Sequence, residues 1–323
     1  MAGGQVRVAV VGTGEIGRGW AALCVAHGWP VSLYDHDTAA LNEAQSDVVE
    51  RARGLPVLIG ADPDLVDQGV ESLQLGRSLL LACQEAEWVI EAITEDLIAK
   101  QRLLEGLETV APKARVVSSS SATFRPHDLA ARCRRPDRVL VAHPQHPTEL
   151  VPLVEILAAR ETDRVLLELF KGWLRALGRI PVTLKRHVRG NVAGRIAAAV
   201  WREAIQLVLD DVIDVDDLDR AVSVGPGLNW AAAGPHLSYH LAAGRRGLAG
   251  FLQQQLHDFE VTWQELATWS QLDPTQQHRL ISAIERAYSG QIDTIRAARN
   301  RRLAAMLHAL GDARQDAPAR RKG

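Results

Sequence analysis

The sequence predicts an α/β chain in two parts, a doubly wound sheet followed by a smaller all-helical region. Three observations lead there. An apolar run, Val6–Val11, broken only by Arg7, feeds directly into the glycine-rich segment Gly12-Thr13-Gly14-Glu15-Ile16-Gly17. Short apolar runs then alternate with helical patterns as far as about residue 185. Beyond that point strand-like runs stop and a helical period of apolar residues takes over.

Every position of Val6–Val11 except Arg7 is apolar, the pattern of a strand covered on both faces of a parallel sheet. After the Gly12–Gly19 turn, Ile16, Trp20, Leu23, Cys24 and His27 recur at helical spacing, and Gly28 ends that helix. Val31–Tyr34 is the second strand and closes on Asp35. Trp88–Ile90, Val116–Ser118, Val139–Ala142 and Leu153–Ile156 are further strands, with charged helical stretches expected between them. Such alternation implies parallel neighbours joined by crossover helices. Val192–Leu209 is a helix, Asp210–Asp219 an acidic connection, and no strong strand signal follows as far as Leu310. The expected division is a Rossmann-type domain over 1–187, a helical substrate and dimerisation domain over 188–311, and a disordered tail over 312–323. The long apolar helices of the second part suit a homodimer surface or, equally, the core of that part.

Composition narrows the classes of function. The chain is 47% hydrophobic and 24% charged, with a net charge of -2, which favours neither nucleic acid nor an anionic membrane as partner. No apolar run is long enough for a membrane span. The three cysteines, Cys24, Cys83 and Cys133, show neither paired nor zinc-binding spacing, which fits a reducing cytoplasm. No metal-ligand spacing occurs.

The GxGxxG segment carries the cofactor reading because of its context, after a strand and at the opening of a helix. Gly12 permits the tight turn, Gly14 lets backbone approach a pyrophosphate, and Gly17 lets helix and strand pack closely. Glu15 and Ile16 complete the turn, whose free N–H groups and positive helix end suit phosphates. Asp35 stands where an acid accepts hydrogen bonds from the adenosine ribose diol. Its charge would repel a 2′-phosphate, so NAD is favoured over NADP.

At this point the chain resembles the 3-hydroxyacyl-CoA dehydrogenase family. The resemblance is carried by the glycine motif, Glu91-Ala92-Ile93-Thr94-Glu95 with Lys100, the serine run Ser118–Ser121, His143-Pro144 and Leu153-Val154-Glu155, in that order. The second half, with Trp201-Arg202-Glu203-Ala204 and Gly225–Gly244, is similar to the L-carnitine dehydrogenase and lambda-crystallin (L-gulonate 3-dehydrogenase) branch. The match runs from residue 5 to about residue 255. It implies a dehydrogenase in which His143 exchanges a proton with the substrate hydroxyl and Glu155 fixes the imidazole tautomer. Histidine suits that task because its ordinary pKa lies near working pH. Glu95 and Lys100 match positions that approach the nicotinamide ribose, Ser120 is a further cofactor-side candidate, and Ser121, Ala122, His146, Asn191, Gly194 and Trp230 are the candidate substrate-side residues.

The chain also departs from the family. Where the family carries a serine that hydrogen-bonds the substrate oxygen, this sequence has Ala122, flanked by Ser121 and Thr123. The family asparagine after the histidine is His146, and the one before the second-domain arginine is Gly194, with Asn191 almost one helical turn earlier. Asn229 stands where relatives often carry an arginine for a carboxylate. Each lost oriented donor is worth about 2–4 kcal/mol at the transition state. The expected substrate is a 3-hydroxy or 3-keto acid of the carnitine-like kind. A ketoreductase of aromatic polyketide biosynthesis and a non-catalytic crystallin-like NAD-binding protein are the alternatives. Trp230, His236, Tyr239 and His240 are either pocket-facing or helix-packing aromatics.

Overall fold

The computed structural model describes residues 5–290 and 292–315. Eight strands form one sheet: β1 (Val8–Val11), β2 (Val31–Tyr34), β3 (Gln74–Leu75), β4 (Trp88–Glu91), β5 (Val116–Ser119), β6 (Val139–Pro144), β7 (Leu153–Ala158) and β8 (Ile180–Thr183). The helices around it are α1 (Glu15–Ala26), α2 (Thr38–Ile59), α3 (Pro63–Glu71), α4 (Leu79–Cys83), α5 (Leu97–Val110), α6 (Pro126–Leu129) and α7 (Arg164–Ala176). There follow α8 (Asn191–Leu209), α9 (Val215–Val224), α10 (Pro226–Ala233), α11 (Pro235–Ala242), α12 (Gly247–Glu265), α13 (Pro274–Ala287) and α14 (Ile292–Gln315).

The strand order is β3-β2-β1-β4-β5-β6-β7-β8, so the winding reverses between β1 and β4. A reversal of this kind leaves a crevice beyond the carboxyl ends of the two strands, where ligands bind in such sheets. The sheet is covered on both faces, as the apolar strands require. One apolar layer joins α1, α2 and α7 to the sheet; the other is built on α4, α5 and α6. Trp88 of β4 is the hub of the first layer, with Trp20 at 5.6 Å, Phe170 at 5.3 Å and Trp29 at 6.4 Å between ring centroids. Its indole N–H donates to Ser118 Oγ at 2.8 Å, which satisfies the polar tip of a wholly buried ring.

The sheet departs from the parallel expectation at one pair, since β6 and β7 run antiparallel. Their connection, residues 145–152, is shorter than the roughly dozen residues a parallel crossover needs, so no helix intervenes. β3 is only two residues long, and β8 is mostly exposed, with a proline inside its short Ile180-Pro181-Val182 run.

The chain divides into two compact units, residues up to Val192 together with those from Ala298 onward, and Ala193–Ala297. The first unit thus ends a few residues beyond 187 and takes in most of α14, whose Leu303 packs against the first apolar layer. Helix α14 runs to Gln315, so residues 312–315 of the expected tail are helical, and 316–323 lie outside the described residues. Among its described residues the second unit contains helices joined by short connections and no strand. Within it the Tyr239 ring lies 5.0 Å from Phe251 and 5.6 Å from Phe259, and His240 Nδ1 accepts the Leu248 N–H at 3.1 Å. Those two aromatics are therefore helix-packing groups.

Candidate active site

Sheet register gathers the predicted residues of the first unit at one edge. Val11 pairs with Glu91, Glu91 with Ser119, and Ser119 with Val141, which leaves His143 two residues farther along β6. Gly12, Glu91, the serine run and His143 therefore rise from adjacent strand ends, with Asp35 one strand to the other side at the end of β2.

The glycine turn has the form its spacing predicts. Gly12 holds φ +98°, and a Cβ there would lie 2.5 Å from Ala92 O, so only glycine fits between the ends of β1 and β4. A Cβ on Gly17 would come within 2.0 Å of Gly12 O. Nothing lies within 4 Å of a Cβ on Gly14, so the space above the α1 N-terminus is open, as a bound pyrophosphate requires. Ile93, Ala99 and Leu103 form an apolar wall of the same cavity, which is suited to an adenine ring, and Asp35 also lines it. These residues fit NAD.

Asp35 is held by a residue that the motif leaves unassigned. Its Oδ2 accepts the Thr13 N–H at 2.8 Å and the Thr13 hydroxyl at 2.9 Å, and its Oδ1 accepts the Asp37 N–H at 3.1 Å. Burial alone would raise this carboxyl, but the Thr13 and Asp37 donors and nearby His36 outweigh it and hold it below its ordinary value.

Lys100 is 1% exposed, and its Nζ lies between carboxylates, 2.7 Å from Glu91 and 3.3 Å from Glu95. It also donates to Ile93 O at 3.2 Å. Glu91, wholly buried, accepts from Ser119 Oγ and from the Ile93 N–H. Lys100 and Glu91 thus fix the Ala92-Ile93 segment that backs the glycine turn. Ser121 Oγ donates to Glu95 at 2.5 Å and accepts the Thr123 and Phe124 N–H groups, so its hydroxyl is committed to the turn. Burial would push Glu95 up, yet the Ser121 hydrogen bond and the Lys100 charge keep it below its usual value. Ser120 Oγ is buried and has no hydrogen-bond partner among the described residues.

His143 and Glu155 face each other across the β6–β7 hairpin. His143 Nδ1 stands 3.6 Å from Glu155 Oε2, an ion-pair separation longer than a hydrogen bond, with the imidazole 19% exposed and the carboxylate 2%. Gln145 Nε2 approaches the same Nδ1 at 3.5 Å. Glu155 Oε1 accepts the Val192 N–H at 2.9 Å, and Gly190 N–H donates to Ala122 O at 3.0 Å. Asn191, between those anchors, adopts φ +52°. Its side chain is buried, and its Nδ2 has no hydrogen-bond partner among the described residues. Ala122 is half-buried and His146 exposed. Gly194 on α8 and Trp230 on α10 belong to the second unit. Among the described residues, no group of three or more His, Cys, Asp or Glu could hold a metal ion. None of the described helices is long and apolar enough to cross a membrane.

Comparison with known proteins bears on this geometry. The profile of the 3-hydroxyacyl-CoA dehydrogenase NAD binding domain matches residues 7–187, and that of the 3-hydroxyacyl-CoA dehydrogenase C-terminal domain matches residues 190–278. The chain belongs to the 3-hydroxyacyl-CoA dehydrogenase family. It is an NAD-dependent dehydrogenase of that kind. An L-carnitine dehydrogenase of Bacillus cereus is 30% identical over 290 residues, 88% of this chain and 86% of the relative. One from Nocardiopsis dassonvillei is 31% identical over 323 residues, 98% of this chain and 95% of the relative. Among solved structures, a 5-formyl-3-hydroxy-2-methylpyridine 4-carboxylic acid 5-dehydrogenase, described as an NAD+-dependent dismutase, superposes with TM-score 0.78 at 25% identity. The superposition covers 95% of this chain and 99% of that one.

Sequence reasoning missed Thr13 as the partner of Asp35 and Glu91 as the partner of Lys100. Thr13 lies inside the glycine motif, where its hydroxyl could have drawn notice. Glu91 sits in the motif that carried the resemblance, but its pairing with Lys100 depends on register.

Proposed function

We propose that this enzyme interconverts the 3-hydroxy and 3-keto forms of a small carnitine-like acid. The observation that carries the reading is the His143–Glu155 pair, set across a hairpin at the same sheet edge as the glycine turn. With Nδ1 turned towards Glu155, Nε2 is left to take the hydroxyl proton in oxidation and to return it in reduction. Glu155, steadied by the Val192 N–H, holds the tautomer and stabilises the imidazolium. NAD, when bound, supplies the hydride acceptor. Asn191 Nδ2, buried without a partner beside Ala122, is the donor we assign to the substrate oxygen in place of the absent hydroxyl. The L-carnitine dehydrogenases related over most of their length support the choice of substrate class. Helix α8 exposes Val192, Ile196 and Trp201, which supports a homodimer through the helical part, and the three unpaired cysteines support a cytoplasmic setting.

The test is NADH oxidation against 3-dehydrocarnitine, acetoacetyl-CoA, a 3-oxo sugar acid and aromatic β-keto acids, with His143→Ala as control. Turnover of 3-dehydrocarnitine that His143→Ala abolishes, while NADH binding survives, is the expected result. Turnover restricted to the aromatic members would replace the carnitine-like substrate with a polyketide. Full turnover by His143→Ala would refute the assignment of the base.

A further inference from the structure

Beside the cofactor turn, one guanidinium gathers carboxylates from three separate segments. Arg51 of α2 is 16% exposed at its side chain. Its Nη2 meets both carboxylate oxygens of Glu15 at 3.0 and 3.1 Å, its Nε lies 2.9 Å from Asp47, and its Nη1 lies 3.6 Å from Glu149. Glu15 follows Gly14 in the pyrophosphate turn, whereas Glu149 lies in the loop that begins just after His143 and is only 9% exposed at its side chain. The same loop presses on the cofactor helix. A Cβ on Gly19 of α1 would come 2.7 Å from Thr148 Cβ and 2.8 Å from Glu149 Oε2. From behind, the buried Arg179 donates to Thr148 O at 3.3 Å and to Val151 O at 3.1 Å, so the loop is backed by a rigid group. Arg18 completes the arrangement, donating to Thr13 O at 2.7 Å while pairing with Glu43.

A carboxylate in the pyrophosphate turn competes with the phosphates for the positive end of α1 and repels them. A guanidinium that binds both of its oxygens holds that charge at a fixed place. We propose that Arg51 is a positioning residue for the cofactor. It draws the Glu15 carboxylate away from the phosphate seat and, through Glu149, ties the turn to the loop after His143. Cofactor binding and order in the His143 loop are thereby coupled. This inference rests on NAD as cofactor and does not depend on which substrate is reduced.

The experiment combines NADH titration by fluorescence with hydrogen exchange, with and without NADH, on the full chain. Arg51→Met should raise the Kd for NADH about tenfold. Arg51→Lys should fall between, because an ammonium cannot span several carboxylates as a guanidinium fork does. In the Arg51→Met background, Glu15→Gln should recover most of the lost affinity, since the charge that Arg51 restrained is then gone. In the wild type, NADH should slow exchange both in residues 12–18 and in residues 144–151. In Arg51→Met only the first segment should respond. If Arg51→Met does not fold, Arg51→Lys and Glu149→Gln carry the test, and both should lose the response of the second segment. NADH affinity within about twofold of wild type, no recovery by Glu15→Gln, or an undiminished response of 144–151 would each overturn the proposal.

Discussion

Lys100→Met keeps the side chain's length and removes its charge from a site with almost no water. The ammonium lies 2.7 Å from Glu91, which is 0% exposed at its side chain, and 3.3 Å from Glu95, which is 41% exposed. Glu95 can turn its carboxylate to solvent once its partner is gone. Glu91 cannot, and it keeps only Ser119 and the Ile93 N–H. Removing one member of a buried pair costs about 3–5 kcal/mol, and the freedom of Glu95 places this case near the lower figure. For a unit of this size that is about 6–12 °C in Tm. Urea unfolding followed by tryptophan fluorescence suits the measurement, because Trp88 lies on the same strand as Glu91. Adding Glu91→Gln to the variant should restore more than half of the loss, because a neutral amide tolerates the site. A loss below about 1 kcal/mol, or no recovery in the double variant, would refute the view of Lys100 as the counter-ion of a buried carboxylate.

The glycines of the turn should separate folding from binding. Gly14→Ala meets nothing within 4 Å, so stability should stay within about 0.5 kcal/mol while NADH affinity falls more than about tenfold. Gly17→Ala, 2.0 Å from Gly12 O, should instead unfold the turn and lower thermal stability; normal NADH binding by Gly14→Ala would contradict the seat assigned to the phosphates. Asp35, with its carboxyl below the ordinary value, contributes stability that is complete above the unfolded pKa near ~4 and is lost as pH falls through the folded value. Asp35→Asn should therefore cost the same at about pH 5 as at about pH 8 in urea titrations, and a cost that grew with pH across that interval would count against the assignment. Asp35→Ala should weaken NADH more than NADPH, as parallel titrations would show. Burial pushes the Cys83 thiol up to about 12 and the Cys133 thiol up to about 11, and it raises Cys24 further still. A thiol reagent at about pH 8 should react slowly with the folded chain and count three thiols after denaturation, whereas rapid native labelling would contradict the packing around them.

The division between what the residues announce and what only the fold reveals follows interaction range. Val8–Val11, the glycine turn and the helix after it are legible because each depends on neighbours within a few residues. The His143–Glu155 spacing is legible through family resemblance and is borne by a hairpin, a short-range element. Lys100 and Glu91 meet because α5 folds back over the end of β4, and Glu91 meets Ser119 because β4 and β5 share a register. No periodicity encodes those meetings. The demand for glycine at residue 19 is likewise set by Thr148 and Glu149, far along the chain. The antiparallel turn of β7 was hidden for another reason, since an apolar run reads the same in either direction.

The β6–β7 hairpin makes the length of one connection a functional quantity. Side chains alternate faces along a strand, so a slip of one residue in the pairing would turn Glu155 to the opposite face and set Val154 or Ile156 across from His143. Such a slip would carry the Glu155 carboxylate into the apolar layer that holds Val154 and Ile156, so it would cost stability as well as separate Glu155 from His143. Residues 145–152 are therefore constrained in number, and Thr148 and Glu149 also in kind, since the loop sets them against Gly19 and Arg51. A single insertion there that shifts the register should lower stability and turnover together.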